Sequence, residues 1–406
     1  MAVAYAALPM DTNQDGTPPP LRLVTATSPA DEAWLAESEA ATAERRAAAE
    51  AVGGAMRRGL ARWTILLTAG SLVTLLIGHL EGSLLMAVAG LFALTQSWDV
   101  RDRARTGDPE ADRALAPGTV GRVLRFLVPL IVPFTGALLF AGIAAYGRLL
   151  GTAAGTSAMR WSVSAACVCL FAALPPIQHQ LALAFTRGPW PGHTARLTAA
   201  TALVLLLVPV PAQLLLPELT AMMRASSEPL VQVSGLVGQL IGLVVFALAA
   251  VGLWVGRSWS ETLDRLGLHA LTPLHSLIAL VALAAVFGVN AGLEWVERTR
   301  FADLWRQDQE MVRLMASHLG LTGAIVLGIS AGVGEEVLVR GALQPRVGMV
   351  WAALLFAAGH IQYTWFGMLT VFGLGLVFGL VRRFSNTTVA VIVHAAYDVL
   401  AVLATR

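Results

Sequence analysis

The sequence predicts an all-α fold, a polytopic bundle of about 10–11 transmembrane helices preceded by a short N-terminal cytoplasmic region. Three observations predict this class. Of the 406 residues, 56% are hydrophobic and 13% are charged, whereas charged residues make up about a quarter of a soluble chain. Apolar runs close to the length that crosses a bilayer recur along the chain. The remaining charges are concentrated in three stretches, which hold 34 of the 54 charged residues.

The composition also limits the possible partners. Disordered chains combine low hydrophobicity with high net charge, and this chain has neither property. A net charge of +2 is too small to indicate a nucleic-acid partner. We therefore expect membrane lipid as a partner and no nucleic acid, with the oligomeric state left open. All 28 basic residues are arginines, which favours a GC-rich bacterial source. A multi-pass protein of a bacterium is expected in the cell membrane.

The N-terminal region, residues 1–62, is expected to be a cytoplasmic and partly disordered tail that contains one helix. Disorder is predicted around Thr17 to Pro20, where three prolines follow one another. Ser28 and Pro29 have the form of a helix start, with serine as the N-cap and proline at the first helical position. The Ala/Glu/Arg-rich stretch that follows, to about Arg62, should form a helix leading into the membrane.

Apolar runs predict where the chain crosses the membrane. Three groups of arginines fall on one side if every run crosses and the N-terminus is cytoplasmic, in agreement with the excess of arginine in cytoplasmic loops. The stretch 294–313, which carries nine charged residues, is then a loop in water on the outer side. The runs lie at about 64–80, 82–98, 126–147, 161–185, 196–216, 232–256, 273–293, 318–343, 347–361, 365–381 and 387–404.

Ionisable residues in the C-terminal apolar runs are the informative part of the sequence. After Arg313 the chain has only three acidic residues. A charge inside the bilayer costs several kcal/mol, about 2.5–3.5 or more, unless it is paired or hydrated, so such residues indicate a functional site. The ionisable residues in or beside these runs are Glu335, Glu336, Arg340, His360, His394 and Asp398.

Helical spacing predicts how these residues are arranged. Glu336 and Arg340 are four positions apart, which suits an ion pair on one helix face. Glu335 is rotated by about 100° from Glu336 and remains available for another task. His394 is likewise four positions before Asp398. If the helix faces converge, they supply a carboxylate base and donors for an oxyanion, which are the parts of a hydrolytic site.

Three motifs carry a resemblance to a known family. EEVLVRG at 335–341, FAAGH at 356–360 and HAAYD at 394–398 are similar, in order, to the EExxxR, FxxxH and HxxxN/D motifs of the CPBP family. This family of CAAX-processing and bacteriocin-processing intramembrane endopeptidases includes the CAAX prenyl protease type 2. The resemblance covers about 318–402, and we assign 257–406 to a CPBP-like domain and 63–256 to accessory transmembrane helices. Asp398 stands where the prenyl proteases have Asn, which is an allowed variant in the family, so the resemblance leaves open whether the substrate is prenylated.

The resemblance implies a role for each residue. Glu335 would activate water, and Glu336 with Arg340 would support the helix and orient Glu335. His360 and His394, with Asp398, would position the water and stabilise the tetrahedral intermediate. No cofactor is expected. A divalent metal such as zinc stays open, since two histidines and a glutamate resemble a catalytic zinc set, although the sequence lacks HExxH.

Other functions are compatible with the same residues. Buried ionisable groups could form a proton or ion relay in a transporter, a reading that the prolines inside predicted spans support. A noncatalytic membrane scaffold would hold them as structural ion pairs. Ser330 lies in a G-x-S-x-G pattern and could act with His394 as in rhomboid-type proteases, but this elbow requires a strand–turn–helix context. Its small neighbours favour close helix packing instead.

Overall fold

The computed structural model describes residues 4–5, 23–24, 29–76, 80–105, 112–113, 115–187, 192–226, 229–316 and 318–404. This part of the chain is helical apart from one short antiparallel pairing of β1 (Ala4–Tyr5) with β2 (Leu23–Val24) and one isolated bridge between Leu253 and Arg257. The all-α polytopic fold class is therefore confirmed. The disorder predicted at 17–20 lies outside the described residues.

The helices fall into two compact units of the chain. One unit comprises Met1–Ala55 and Arg101–Pro117, and the other comprises Met56–Val100 and Gly118–Arg406. The helices up to residue 251 are α1 (Pro29–Leu76), α2 (Leu80–Ala104), α3 (Thr119–Leu150), α4 (Ala153–Ala172), α5 (Pro175–Phe185), α6 (His193–Leu207), α7 (Pro209–Leu214), α8 (Leu216–Ala225) and α9 (Val233–Val251).

The C-terminal helices carry the motifs. One of them is a π-helix, Val337–Leu343, which directly continues the preceding α-helix. The others are α10 (Trp259–Leu266), α11 (Pro273–Arg300), α12 (Ala302–Ala316), α13 (Leu321–Glu336), α14 (Gln344–Val347), α15 (Met349–Ala358), α16 (Trp365–Phe384) and α17 (Thr387–Ala404).

The number of membrane spans is smaller than the sequence predicted. Within the described residues, eight helices are long and apolar enough to cross a membrane, or up to nine if a bent pair counts as one span. The bent pair, α4 and α5, corresponds to the run 161–185 and turns by 100°. Leu174 is extended there because the following proline disfavours a helical conformation at that position.

Two further runs account for the rest of the difference. The run at 64–80 forms the end of α1, which begins at Pro29 as predicted and continues without a break to Leu76. The run at 347–361 yields α15, which has only ten residues and is about 15 Å long, half of the hydrocarbon thickness. Within the described residues the structure thus supports eight to nine spans, against the 10–11 that the sequence predicted. The cytoplasmic N-terminus, which rested on that count, stays a prediction.

Helix α13 is held between α9 and α17. The Ser330 hydroxyl donates a hydrogen bond to the Leu236 carbonyl in α9. On the other side, Gly328 and Gly332 face α17, and a Cβ at either position would lie 2.6–2.8 Å from backbone atoms of Ala395. Small residues permit this close approach, as the sequence indicated. The contact brings the end of α13 against the start of α17, where the two outer motifs lie.

We expect Gly332→Ala to destabilise the fold. The new methyl group would lie 2.8 Å from both N and Cβ of Ala395, and overpacking of this kind costs about 1–3 kcal/mol. Thermal melting in one detergent measures the effect. Gly292→Ala in α11 is the matched control, because nothing lies within 4 Å of a Cβ at that position. If both variants melt at the parent's temperature, α13 and α17 do not require this close contact.

Candidate active site

The EEVLVR motif lies where an α-helix changes into a π-helix. Helix α13 ends at Glu336, and the π-helix Val337–Leu343 continues the backbone and carries Arg340. A π-turn contains one more residue than an α-turn and occurs frequently at functional sites. The sequence pattern predicted a regular α-helix here. The wider turn nevertheless keeps the Glu336 and Arg340 side chains in contact.

Glu336 and Arg340 form the ion pair that their spacing predicted. The Arg340 Nε donates to Oε2 of Glu336 at 3.0 Å, and both side chains are fully buried. The guanidinium also lies over the Phe356 ring, 5.2 Å from its centroid. Its Nη1 and Nη2 atoms have no hydrogen-bond partner among the described residues. Arg340 therefore donates to Glu336 and packs on the Phe356 ring, and these contacts link the π-helix to α15.

His394 connects the two carboxylates of α13 with that of α17. Its Nδ1 lies 3.0 Å from Oε1 of Glu336. Because an ionised carboxylate can only accept, Nδ1 is the donor in this bond. The other ring nitrogen, Nε2, lies 3.5 Å from Oδ2 of Asp398 and 3.9 Å from Oε2 of Glu335. Glu336 thus fixes the orientation of the ring and directs Nε2 toward Glu335 and Asp398.

The two adjacent glutamates differ in their surroundings. Glu336 is fully buried and each of its oxygens has a partner, Arg340 for Oε2 and His394 for Oε1. The Glu335 side chain is 17% exposed, and its nearest charged contact is the 3.9 Å approach to His394. A gap of this length suits a bridging water better than a direct hydrogen bond. Of the two, Glu335 is therefore the carboxylate that can engage a reactant.

Aromatic rings enclose the histidine. The Phe378 ring of α16 stacks on His394 with 4.6 Å between centroids and 13° between planes. Phe356 contacts His394 edge-on at 6.0 Å and His360 at 4.7 Å. These contacts fix the imidazole and exclude water from its faces. Apolar surroundings strengthen the electrostatic interactions at the ring edge.

His360 is placed by the loop that follows α15. Its Nδ1 lies 2.8 Å from the carbonyl oxygen of Phe356, so Nδ1 donates and Nε2 is left for a ligand. The ring stacks parallel to Tyr363 at 6.4 Å. His360 lines the same cavity as His394 and Asp398. Five of the six predicted site residues are thus joined by direct contacts, and His360 joins them through the cavity.

A short helix, α15, carries the FAAGH motif up to Ala358. The chain reverses at Gly348, whose φ of 91° is a conformation that glycine adopts without steric cost. Helix α15 ends at Ala358, so His360 lies directly after its C-terminus. Pro345 lies in the first turn of α14 and does not end that helix. Proline is tolerated in the first turn of a helix, and α14 continues through it to Val347.

A cavity of about 450 Å³ lies beside these residues, a volume within the range of small-molecule sites. Helices α11, α12, α16 and α17 and the loop after α15 form its walls. Its lining residues include Phe287, Asn290, Glu294, Glu297, Asp308, Gln309, Phe356, His360, Tyr363, Phe378, His394, Tyr397 and Asp398. Of the six predicted site residues, His360, His394 and Asp398 line this cavity.

Three of the lining carboxylates were missed by the sequence analysis. Glu294, Glu297 and Asp308 were expected in a loop in water, but this stretch forms the end of α11 and the amphipathic helix α12. Glu297 and Asp308 are 5% and 7% exposed. The signal that could have found two of them is the helical spacing of Asn290, Glu294 and Glu297, which places all three on one face.

The positions of the possible donor side chains bear on whether the site holds a metal ion. The described residues contain no group of three His, Cys, Asp or Glu side chains placed to hold a metal ion. The three donors that resembled a zinc set, Glu335, His360 and His394, are therefore not gathered around one point. Nδ1 of His394 is moreover occupied by Glu336.

Comparison with known proteins agrees with the three motifs. Residues 317–400 match the family of Rce1-like type II CAAX prenyl endopeptidases, a segment that contains all six site residues. The resemblance to CAAX-processing enzymes is thus confirmed, and it supports an intramembrane protease of the CAAX type in general. The chain is also 24% identical over 159 residues to the uncharacterized protein YpbD of Bacillus subtilis (strain 168), which covers 38% of this chain and 81% of that protein. No solved structure matches the chain.

Proposed function

We propose that this multi-pass membrane protein is an intramembrane endopeptidase in which Glu335 activates water. One observation carries the proposal: Glu336 has partners on both oxygens, while the adjacent Glu335 is partly exposed and faces Nε2 of His394. A general base must be free to contact the proton that it takes. The substrate is a peptide or a membrane protein, and the cell membrane of a bacterium is the proposed location, with the N-terminus in the cytoplasm.

The reaction follows from this geometry. A water held between Glu335 and His394 gives a proton to the Glu335 carboxylate, and its oxygen attacks the carbonyl carbon of the peptide bond. The carbonyl oxygen becomes an oxyanion, which is stabilised by hydrogen bonding to Nε2 of His394 and by His360. Glu335 then returns the proton to the amide nitrogen, and the carbon–nitrogen bond breaks to release an amine and a carboxylate.

Glu336 and Arg340 act as positioning residues in this scheme. Glu336 holds Nδ1 of His394 and thereby fixes the direction of Nε2, as the third group does in other catalytic triads. Arg340 holds Glu336 in turn. Asp398 lies one helical turn beyond His394 and 3.5 Å from Nε2. In this scheme its carboxylate helps to position the water.

The helices outside the matched segment support the site in this proposal. Residues 257–406 form the protease domain, and the helices of 63–256 are accessory to it. At least α9 contacts the site helix directly, since the Leu236 carbonyl accepts a hydrogen bond from Ser330. That bond occupies the serine hydroxyl, so Ser330 is a packing residue in this scheme and not a nucleophile.

The proposal is tested by incubating the purified protein in detergent with quenched fluorescent apolar peptides. We expect hydrolysis in the absence of any ion gradient, with both new termini identified by mass spectrometry, and we expect it to survive dialysis against a chelator. Gradient-driven flux in sealed vesicles, without cleavage of any peptide in detergent, would show a transporter. Loss of turnover on dialysis and its recovery with Zn²⁺ would assign a metal to the reaction.

A further inference from the structure

The part of the cavity formed by α11 and α12 carries a group of carboxylates that the proposed hydrolysis does not use. We define it as the acidic end, consisting of Glu294 and Glu297 of α11 and Asp308 of α12, all of which line the cavity. The acids of the catalytic group belong to other helices, α13 and α17. The acidic end is therefore a separate feature of the same cavity.

Two of its three carboxylates already have partners within the protein. Glu294 accepts hydrogen bonds from the Trp305 indole and the Gln309 amide, both to Oε1 at 3.2–3.3 Å. Asp308 accepts from the backbone N–H and from the hydroxyl of Thr364, both at 2.7 Å. Asp308 thereby joins α12 to the start of α16. These two residues have structural roles.

Glu297 interacts through its side chain with Asp308 and Thr364, but one of its two oxygens lacks a donor within the described part of the chain. Glu297 is only 5% exposed. Among the described residues, its Oε1 atom is buried and has no hydrogen-bond partner. A buried carboxyl group is costly unless a hydrogen-bond donor or a cation compensates it. Glu297 faces the cavity, so a ligand in the cavity can supply that donor.

The chemistry of the acidic end selects the ligand. Three carboxyl groups at one end of a cavity attract a cation, and the described residues do not place three such donors for a metal ion. An arginine or lysine side chain brings several N–H donors on a flexible stem. It fits a cavity whose remaining walls include Phe287, Leu374 and Phe378.

The distance between the two ends follows from the helices. Phe287 packs on Tyr397 at 5.1 Å, and Tyr397 is the neighbour of Asp398. Glu297 lies ten residues beyond Phe287 on α11, which corresponds to about 15 Å along the helix. An extended peptide covers that distance in about four to five residues.

We infer that the acidic end is a subsite for a cationic side chain of the substrate, with Glu297 as its principal contact, and that this side chain lies about four to five residues from the cleaved bond. The inference rests on the proposed function, because it assumes that the peptide bond is cleaved beside Glu335 and His394. The substrate class is then an apolar peptide segment that carries an arginine or lysine near the cleavage position.

Binding to an inactive variant tests the subsite without requiring cleavage. Glu335→Gln protein in detergent is titrated with a fluorescein-labelled apolar peptide that carries one arginine, and with the same peptide carrying citrulline instead. Citrulline keeps the shape of arginine and lacks its charge. We expect the arginine peptide to bind about tenfold more tightly or better, as a buried charge-assisted hydrogen bond predicts.

Two further variants locate the preference. In Glu335→Gln/Glu297→Gln the arginine peptide should bind no better than the citrulline peptide, and unchanged citrulline affinity shows that the cavity is intact. Glu335→Gln/Glu310→Gln is the matched control. Glu310 lies on the same helix as Asp308 but pairs with Arg224, and this variant should keep the full preference.

The outcomes separate the subsite from the proteolysis. Equal affinity for both peptides, or a preference that persists without Glu297, overturns the subsite while cleavage by the parent protein is unaffected. Cleavage that persists in Glu335→Gln overturns the proposed mechanism and leaves the binding result readable. In the parent protein, Glu297→Gln should raise KM for arginine peptides about tenfold with little change in kcat, since the contact is distant from the cleaved bond.

Discussion

Replacing Glu335 with Gln is expected to lower turnover by about 10²–10⁴-fold, the usual contribution of a general base. The amide has nearly the same shape as the carboxylate but cannot take a proton from water. Glu335 is partly exposed and makes no close ion pair, with His394 at 3.9 Å, so the melting temperature should stay close to that of the parent. Single-turnover cleavage of a fluorescent peptide and melting in the same detergent provide both values.

Two comparisons make this result specific. Ser330→Ala removes the only hydroxyl of the G-x-S-x-G pattern and should retain turnover, because that hydroxyl already donates to Leu236. Near-normal cleavage by Glu335→Gln would remove Glu335 from the mechanism. Loss of cleavage in Ser330→Ala alone would favour a serine nucleophile. Comparing the membrane proteomes of cells with parent and Glu335→Gln protein would then identify the natural substrate.

Replacing Arg340 with Ala is expected to destabilise the fold by about 3–5 kcal/mol, the cost of leaving one member of a buried ion pair without its partner. Glu336 would keep His394 as its remaining partner and would lose the guanidinium at 3.0 Å. The stacking of Arg340 on Phe356 is lost as well. Turnover should fall with stability, because Glu336 orients His394.

Arg224→Ala is the matched control for Arg340→Ala. Arg224 is more than half exposed and pairs with Glu310, and exposed ion pairs contribute about 0–1 kcal/mol. Its loss should therefore shift the melting temperature only slightly. If Arg340→Ala melts with the parent while Glu335→Gln collapses, the roles assigned to the two adjacent glutamates are reversed.

Local spacing explains what the sequence could predict about the site. The Glu336–Arg340 pair and the approach of Asp398 to His394 connect residues four positions apart, and such contacts follow from helix geometry alone. The burial of ionisable groups in apolar runs indicated where the site lies. The contact of His394 with Glu336 spans 58 residues, and only the match to a known set of motifs could predict it.

The features of the site that the sequence analysis missed depend on packing or on the local backbone conformation. A π-helix at Val337–Leu343 has no signature in the apolar pattern, since the same residues could continue an α-helix. Glu297 and Asp308 lie in a charged stretch, and such a stretch usually faces water. The packing of α12 against α16 through Thr364 overrides this rule. One predicted span is lost at the 100° bend after Ala172, which hydropathy does not register, and another corresponds to the short helix α15.

His394 follows Glu336 by 58 positions in the sequence, so the ribosome synthesises it later. At a synthesis rate of about 5–20 residues per second, the histidine leaves the ribosome roughly 3–12 s after its glutamate. During this interval the nascent chain holds Glu336 against Arg340 alone, and the imidazole that faces Glu335 does not yet exist. In the proposed mechanism the site is complete only when α17 lies beside α13, so a partly synthesised chain that lacks α17 would not cleave its membrane neighbours or itself.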